Sequence, residues 1–109
     1  MTVNEFATRL SLKQISLPTG DREIGGGYVG DLLSWVMGRA ESGDVWITIM
    51  SNINIVAVAS LADVACILLA EGVTLDDNVR TTAEEKGVNI LASEKTAYAL
   101  AAELAALLQ

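Results

Sequence analysis

Apolar and polar positions along the chain follow two periods, one of about two residues and one of about 3.6 residues. Alternating or continuous apolar runs predict four strands, at residues 12–17, 45–50, 65–69 and 88–91. Helical spacing predicts helices at residues 3–10, 32–40 and 75–86, and a last helix after Ser93. Residues 53–61 fit either a helix capped by Asn52 or a short β-prone strand, and the pattern leaves both open.

Several short polar signals mark where these elements begin and end. Thr2 and Glu5 have the spacing of a capping box, which places the start of the first helix. Asp31, Thr74 and Ser93 precede helical patterns and are expected to cap them. Gly87 follows the 75–86 pattern and is expected to end that helix.

The predicted elements follow the order α-β-loop-α-β-α-β-α-β-α. Strands that alternate with helices of about ten residues predict an α/β layered domain. We therefore expect a central, largely parallel or mixed sheet of about four to five strands, flanked by helices. At 109 residues and 51% apolar composition, the chain suits a single domain spanning residues 1–109 with its own core.

The segment Thr19–Asp31 holds five of the nine glycines and is predicted to be a loop that leads into a helix. A glycine loop before a helix N-terminus is a favourable place for an anion. Residues 25–30 match the pattern G-x-G-x-x-G, but residues 18–24 separate them from the preceding strand, which disfavours a dinucleotide fingerprint. The segment has no lysine, which excludes a phosphate-loop NTPase.

We expect a ligand-binding surface that joins this segment to the polar turn after the 45–50 strand, because ligands of parallel sheets bind beyond the strand ends. The candidate residues are Asp21, Arg22, Gly25, Gly26, Gly27, Gly30, Asn52 and Asn54. Arg22 could instead pair with a nearby carboxylate, and Asn52 could act only as a cap.

Catalytic and metal-binding side chains are scarce. The chain has no histidine, which excludes Ser-His-Asp and Cys-His catalysis and histidine metal sites. Cys66 lies in an apolar run and is expected to be a buried core thiol. Asp21, Glu23 and Asp31 could hold Mg²⁺, but solvated carboxylates and a helix cap are favoured. We therefore assign no catalytic residue and no metal ligand, and the cofactor stays unknown.

The charge and the composition also limit the partners. A net charge of −7 argues against nucleic acid and against an anionic membrane surface. The N-terminal residues 1–6 have neither the basic region nor the apolar run of a secretory signal, and polar residues interrupt the uncharged stretch 45–62. The expected location is the cytoplasm.

Four blocks of sequence, taken in order, resemble the DRTGG domain family, and the similarity extends less specifically along nearly the whole chain. The blocks are DREIGG at 21–26, GYVGDLLS at 27–34, WITI at 46–49 and NIVAVA at 54–59. The chain keeps Asp21 and Arg22 of the motif that names the family. It has Glu23 and Ile24 where the family has threonine, which delays the glycines.

The resemblance implies a fold similar to the N-terminal domain of HPr kinase/phosphorylase, without its kinase domain. Related domains accompany CBS modules in regulated pyrophosphatases, and small stand-alone members lie near hydrogenase and redox genes. It thus implies a non-catalytic regulatory or ligand-sensing module that acts as a homodimer. An adenine nucleotide or another small anion is the expected ligand, and a redox or hydrogenase-related protein is a further expected partner.

Two alternatives remain open from the sequence. The first is a structural assembly module without a small-molecule ligand, which predicts an exposed apolar patch on the 32–37 helix or on the last helix. The second is a small enzyme that uses carboxylates and a metal at Asp21, Glu23 and Asp31.

Overall fold

A computed structural model describes all residues from 1 to 109 and contains five helices and five strands. The helices are α1 (Val3–Arg9), α2 (Leu33–Arg39), α3 (Asn54–Ala62), α4 (Asp77–Lys86) and α5 (Ala97–Leu107). The strands are β1 (Lys13–Ser16), β2 (Gly26–Val29), β3 (Asp44–Thr48), β4 (Cys66–Leu69) and β5 (Ile90–Ala92). None of the helices has both the length and the apolar character that crossing a bilayer requires.

The strands form one mixed sheet in the order β1-β5-β4-β3-β2. All neighbouring pairs are parallel except β1 and β5, which are antiparallel. Apolar side chains of α1 and α5 pack on one face of the sheet, and those of α2, α3 and α4 pack on the other. The α/β layered fold predicted from the sequence is confirmed.

Side chains of the central strands alternate between two separate hydrophobic clusters, one on each face. In β3, Val45 and Ile47 join the cluster under α1 and α5, whereas Trp46 joins the cluster under α2, α3 and α4. All five residues of β3 and all four of β4 are buried. Burial on both faces explains why these two strands appear in the sequence as nearly continuous apolar runs.

Only part of the glycine-rich segment is the loop that its composition predicts: residues 19–25 and 30–31 are turns or irregular backbone. Residues 26–29 form the edge strand β2, which pairs in parallel with β3. Positive φ angles among glycines occur only at Gly43, Gly72 and Gly87, so no glycine of the segment uses the left-handed region. The loop prediction was wrong for residues 26–29 because glycine has low intrinsic β propensity, whereas this strand is stabilised by its neighbours.

Residues 53–61, for which the sequence left two alternatives, lie almost wholly in the helix α3.

The capping box is confirmed: the hydroxyl of Thr2 accepts a bond from the Glu5 amide, and the Glu5 side chain accepts one from the Thr2 amide. Gly87 ends α4 with a φ of 74°, as predicted.

Three other predicted caps are wrong. The N-caps of α4 and α5 are Asp76 and Thr96, because these helices begin two or three residues later than the polar signals at 74 and 93 suggest. Helix α2 has Leu32 at its N-cap and no side-chain cap. The carboxylate of Asp31 instead accepts bonds at the end of β3, from Thr48 Oγ1 at 2.8 Å and from the Ile49 amide at 3.0 Å.

Candidate functional site

The eight candidate residues are spread along the strand β2 and beyond both of its ends, and Gly26 and Gly27 are the first two residues of the strand. Because β2 and β3 are parallel, Gly30 and the turn at residues 51–54 share the carboxyl edge of the sheet. Asp21, Arg22 and Gly25 precede β2 and therefore lie toward the amino ends of the parallel strands. A strand rises about 3.3 Å per residue, so roughly 10 Å separates the ends of β2. The predicted residues therefore do not form one continuous surface, and their binding role remains a prediction.

Arg22 joins the segment before β2 to the end of α3. Its Nη1 lies 2.9 Å from Asp63 Oδ1, and its Nη2 donates to the Asp63 carbonyl oxygen at 2.7 Å. Ser42 Oγ donates to the same carboxylate. The hydroxyl of Ser42 and the guanidinium of Arg22 hold the pKa of Asp63 below its ordinary value. Arg22 thus forms an ion pair, although with a partner 41 residues away rather than with a neighbouring carboxylate.

The backbone of the glycine-rich segment is already bonded within the protein. The Gly25 amide donates to the Gly43 carbonyl, and the Gly30 amide donates to the Ile47 carbonyl. The Gly30 carbonyl accepts a bond from Trp46 Nε1 at 2.9 Å. Amides that would cradle an anion are therefore occupied at both ends of the segment.

Steric contacts explain several of these glycines. A β-carbon at Gly26 would lie 2.9 Å from Asp44 Oδ1, and one at Gly30 would lie 2.9 Å from the Tyr28 ring. One at Gly27 would lie 2.7 Å from Leu104 Cδ2, whereas one at Gly25 would meet nothing within 4 Å. The segment is glycine-rich mainly because other groups approach it closely.

The polar turn after β3 starts a helix. Asn52 Oδ1 accepts a bond from the Asn54 amide at 2.9 Å, and the Asn52 carbonyl accepts one from the Ile55 amide. This is the local turn that asparagine commonly forms before a helix.

The carboxylates of Asp21, Glu23 and Asp31 do not converge, since Asp31 lies at the carboxyl edge and the other two lie before β2.

A basic cavity of about 960 Å³ lies at another part of the carboxyl edge, at residues for which the sequence pattern predicts no site. It lies between the ends of β4 and β5 and the connection from α1 to β1. Its lining includes four of the seven cationic side chains of the chain, which are Arg9, Lys13, Arg80 and Lys95. They lie beside three carboxylates, which are Asp77, Glu94 and Glu103. We call this feature the basic cavity.

The four cations of the basic cavity differ in their partners. Arg80 pairs with Asp77 and Glu84, and Lys95 Nζ lies 2.8 Å from Glu103 Oε1. Arg9 and Lys13 form no ion pair within the chain. Two exposed cations are therefore available to an anion, in a chain whose net charge is −7.

Backbone hydrogen bonds join the two loops beside the basic cavity, at residues 71–72 and 93–95. The Glu71 amide donates to the Lys95 carbonyl at 2.9 Å, and the Gly72 amide donates to the Ser93 carbonyl at 3.0 Å. Both donor residues have positive φ, 63° and 73°. The sequence pattern does not reveal the cavity, because its cations come from α1, β1, α4 and the connection between β5 and α5. Only the antiparallel pairing of β1 with β5 brings Lys13 to this edge.

A second surface feature lies beside β2, the edge strand on the other side of the sheet from β1. Leu32, Trp35 and Met37, at the start of α2 and along it, expose 56%, 51% and 42% of their surface. The guanidinium of Arg39 lies 3.6 Å from the centre of the Trp35 ring. We call Leu32 and Trp35, which lie three residues apart and share one side of α2, the α2 patch; Met37 lies two residues from Trp35 and faces another side. The assembly alternative predicts an exposed apolar surface of this kind. The neighbouring strand β2 is an unpaired edge.

A mixed sheet with helices on both faces defines the class of this protein as an α/β layered domain. The sequence profile of the DRTGG domain matches residues 29–107, so the chain belongs to the DRTGG domain family. The match begins after Asp21 and Arg22, although this pair contributed to the resemblance seen in the sequence.

A solved structure supports the fold. The regulatory region of a Clostridium perfringens pyrophosphatase, comprising CBS and DRTGG domains in complex with the activator diadenosine tetraphosphate, superposes with a TM-score of 0.73 at 13% identity. The alignment covers 94% of this chain and 45% of the other, so this chain spans less than half of the length of that neighbour. No curated protein matches the sequence.

Proposed function

We propose that this chain is a non-catalytic regulatory module that senses a small anionic ligand in the basic cavity. The observation that carries this proposal is the convergence of Arg9, Lys13, Arg80 and Lys95 on one cavity at the carboxyl edge of a largely parallel sheet. Ligands of such sheets bind outside the carboxyl ends of the strands. The volume of about 960 Å³ is within the range of small-molecule sites.

The absence of histidine and the burial of the only cysteine favour sensing over catalysis. The neighbouring pyrophosphatase fragment is a regulatory region crystallised with a nucleotide activator, which makes adenine nucleotides the first ligands to test. The predicted residues Gly30, Asn52 and Asn54 lie at the same edge of the sheet, but beyond the ends of β2 and β3 rather than beyond those of β4 and β5.

A thermal-shift screen with inorganic pyrophosphate, AMP, ADP and ATP tests the proposal. A ligand that binds only the folded state stabilises it by about 2.7 kcal/mol at a hundredfold excess over Kd. We expect stabilisation of the parent and of Lys86→Ala, a cation outside the cavity, and weaker stabilisation of Arg9→Ala and Lys13→Ala. The sensing proposal fails if none of these anions raises the melting temperature at millimolar concentration.

A second proposal concerns assembly. The exposed α2 patch and the unpaired edge of β2 favour a homodimer formed through this end of the sheet. Edge strands and exposed aromatic side chains are frequent contact points between subunits. The patch is the observation that supports the role of an assembly module, with or without a ligand.

Light scattering distinguishes the outcomes. We expect a dimer for the parent and a monomer for Trp35→Asp. Tyr98→Asp serves as a control, because Tyr98 is 86% exposed on α5, which packs on the face of the sheet opposite to α2. A monomeric parent at high concentration contradicts the assembly proposal and leaves sensing untouched. A redox or hydrogenase-related partner and a cytoplasmic location remain predictions that rest on the family resemblance and the sequence.

A further inference from the structure

The basic cavity holds unpaired charges of both signs. Its lining contains four cations and three carboxylates, so its overall charge is nearly balanced. Arg9 and Lys13 form no ion pair, and neither does the carboxylate of Glu94. A ligand with negative charge alone would be attracted by the two cations and repelled by the unpaired carboxylate. Such a ligand would also leave Glu94 without a partner.

Glu94 is held at the cavity by the loop that carries it. The carbonyls of Ser93 and Lys95, on either side of it, accept bonds from the Gly72 and Glu71 amides at 3.0 and 2.9 Å. A β-carbon added at Gly72 would lie 3.7 Å from Glu94 Cγ, so the stem of the side chain lies close to this glycine. The side chain is exposed and lines the cavity, so a ligand in the cavity can reach its carboxylate.

The unpaired cations enter the cavity from neighbouring parts of the chain. Lys13 is the partner of Ala92 in the antiparallel pair of β1 and β5, and Glu94 follows Ala92 by two residues. Arg9 is the last residue of α1, four residues before Lys13. Charges of both signs thus line one cavity without neutralising each other, which leaves both available to a bound molecule.

We infer that the ligand is a small amphoteric compound that carries a phosphate or carboxylate group and a primary ammonium group on a short carbon chain. Its anionic group binds Arg9 and Lys13, and its ammonium group binds the carboxylate of Glu94. Apolar lining residues such as Leu10 and Ile15 suit the carbon chain. The inference rests on the proposed sensing function and names a class outside the adenine nucleotides, which have no ammonium group at neutral pH.

Calorimetry on the parent protein at neutral pH compares two pairs of compounds that differ only in the ammonium group. The pairs are phosphoethanolamine with ethyl phosphate, and glutamate with glutarate. We expect phosphoethanolamine or glutamate to bind at least about fivefold more tightly than its partner, which is the upper range for one exposed ion pair. A preference of this size in either pair supports the inference. The inference is overturned if both compounds without the ammonium group bind as tightly as their partners.

Glu94→Gln then tests the role of the carboxylate, and it is a conservative change at an exposed position. We expect the preferred ammonium compound to lose about fivefold in affinity. Its partner without the ammonium group should bind equally or more tightly, because a like charge is removed. Glu85→Gln is the matched control, since Glu85 is an exposed carboxylate outside the cavity that also forms no ion pair. A preference that persists in Glu94→Gln overturns the inference.

The outcomes separate this inference from the sensing function. If the compounds of each pair bind equally and lose affinity in Lys13→Ala, the sensing function stands and the class of ligand is wrong. The same conclusion holds if none of the four compounds binds but a nucleotide raises the melting temperature. If neither these compounds nor any nucleotide binds the parent, the sensing function itself fails.

Discussion

Leu104 of α5 lies directly against Gly27 of the edge strand β2, so close that a β-carbon at position 27 would be 2.7 Å from Leu104 Cδ2. Leu104 is 4% exposed and belongs to the hydrophobic cluster on this face of the sheet. The lack of a side chain at Gly27 thus allows α5 to pack closely on the edge strand β2. Its role is close packing rather than a turn or an anion cradle.

Gly27→Ala is expected to destabilise the fold by up to about 2 kcal/mol, because the usual cost of overpacking, about 1–3 kcal/mol, is partly offset by the roughly 0.5–1 kcal/mol that alanine gains over glycine in a strand. Gly38→Ala is the control, since nothing lies within 4 Å of a β-carbon there and the residue is in α2. We expect that control to stabilise the fold by about 0.5–1 kcal/mol through helix propensity. Urea denaturation measures both, and equal effects of the two substitutions would contradict the packing role.

The sequence predicted the layered fold and four of the five strands because each of those strands has a clear apolar pattern. It could not predict β2, because two glycines carry no strand signal and the strand depends on β3 and on Leu104. It identified Arg22 but not Asp63, since a contact across 41 residues leaves no local pattern.

The basic cavity illustrates the same limit. Arg9, Lys13, Arg80 and Lys95 are unremarkable surface cations in the sequence, and no two of them share an element. The strand order brings them together, because β1 runs antiparallel beside β5 and delivers its first residue to the carboxyl edge of the parallel strands. A site built from three elements and one connection becomes visible only in three dimensions.

The ion pair between Arg22 and Asp63 predicts a dependence of stability on pH. Ser42 and Arg22 lower the pKa of Asp63 in the folded state below its ordinary value of 3.8. The unfolded chain therefore binds more protons below pH 3.8, so this contribution is complete above that pH and is lost as the pH falls through the lowered pKa. Asp63 is largely exposed, so we expect a contribution below about 1 kcal/mol.

Asp63→Asn is a suitable variant, because Asp63 has a φ of 59° and asparagine tolerates the left-handed region. The stability difference between the parent and this variant, measured in urea at several pH values, should be constant near neutrality and shrink below pH 3.8. A difference that grows as the pH falls would contradict the lowered pKa.

Asn89 joins three backbone groups from two distant segments. Its Oδ1 accepts from the Thr19 amide at 2.9 Å, and its Nδ2 donates to the carbonyls of Thr19 and Ala65 at 2.8 and 3.0 Å. Asn89 is 1% exposed, so Asn89→Ala leaves these groups without partners and is expected to cost about 2–3 kcal/mol. Asn78→Ala, at an exposed position of α4, should stay within about 0.5 kcal/mol of the parent.

The thiol of Cys66 is expected to be inert in the folded protein. Cys66 is fully buried in β4, and burial raises the pKa of its thiol to about 12. Because the thiolate is the reactive form, iodoacetamide at pH 8 should label the native chain far more slowly than the chain in concentrated urea. Adding urea through the unfolding transition should raise the labelling rate in parallel with the loss of helical circular dichroism. Rapid labelling before the transition would show that β4 opens locally and would contradict its place at the centre of the core.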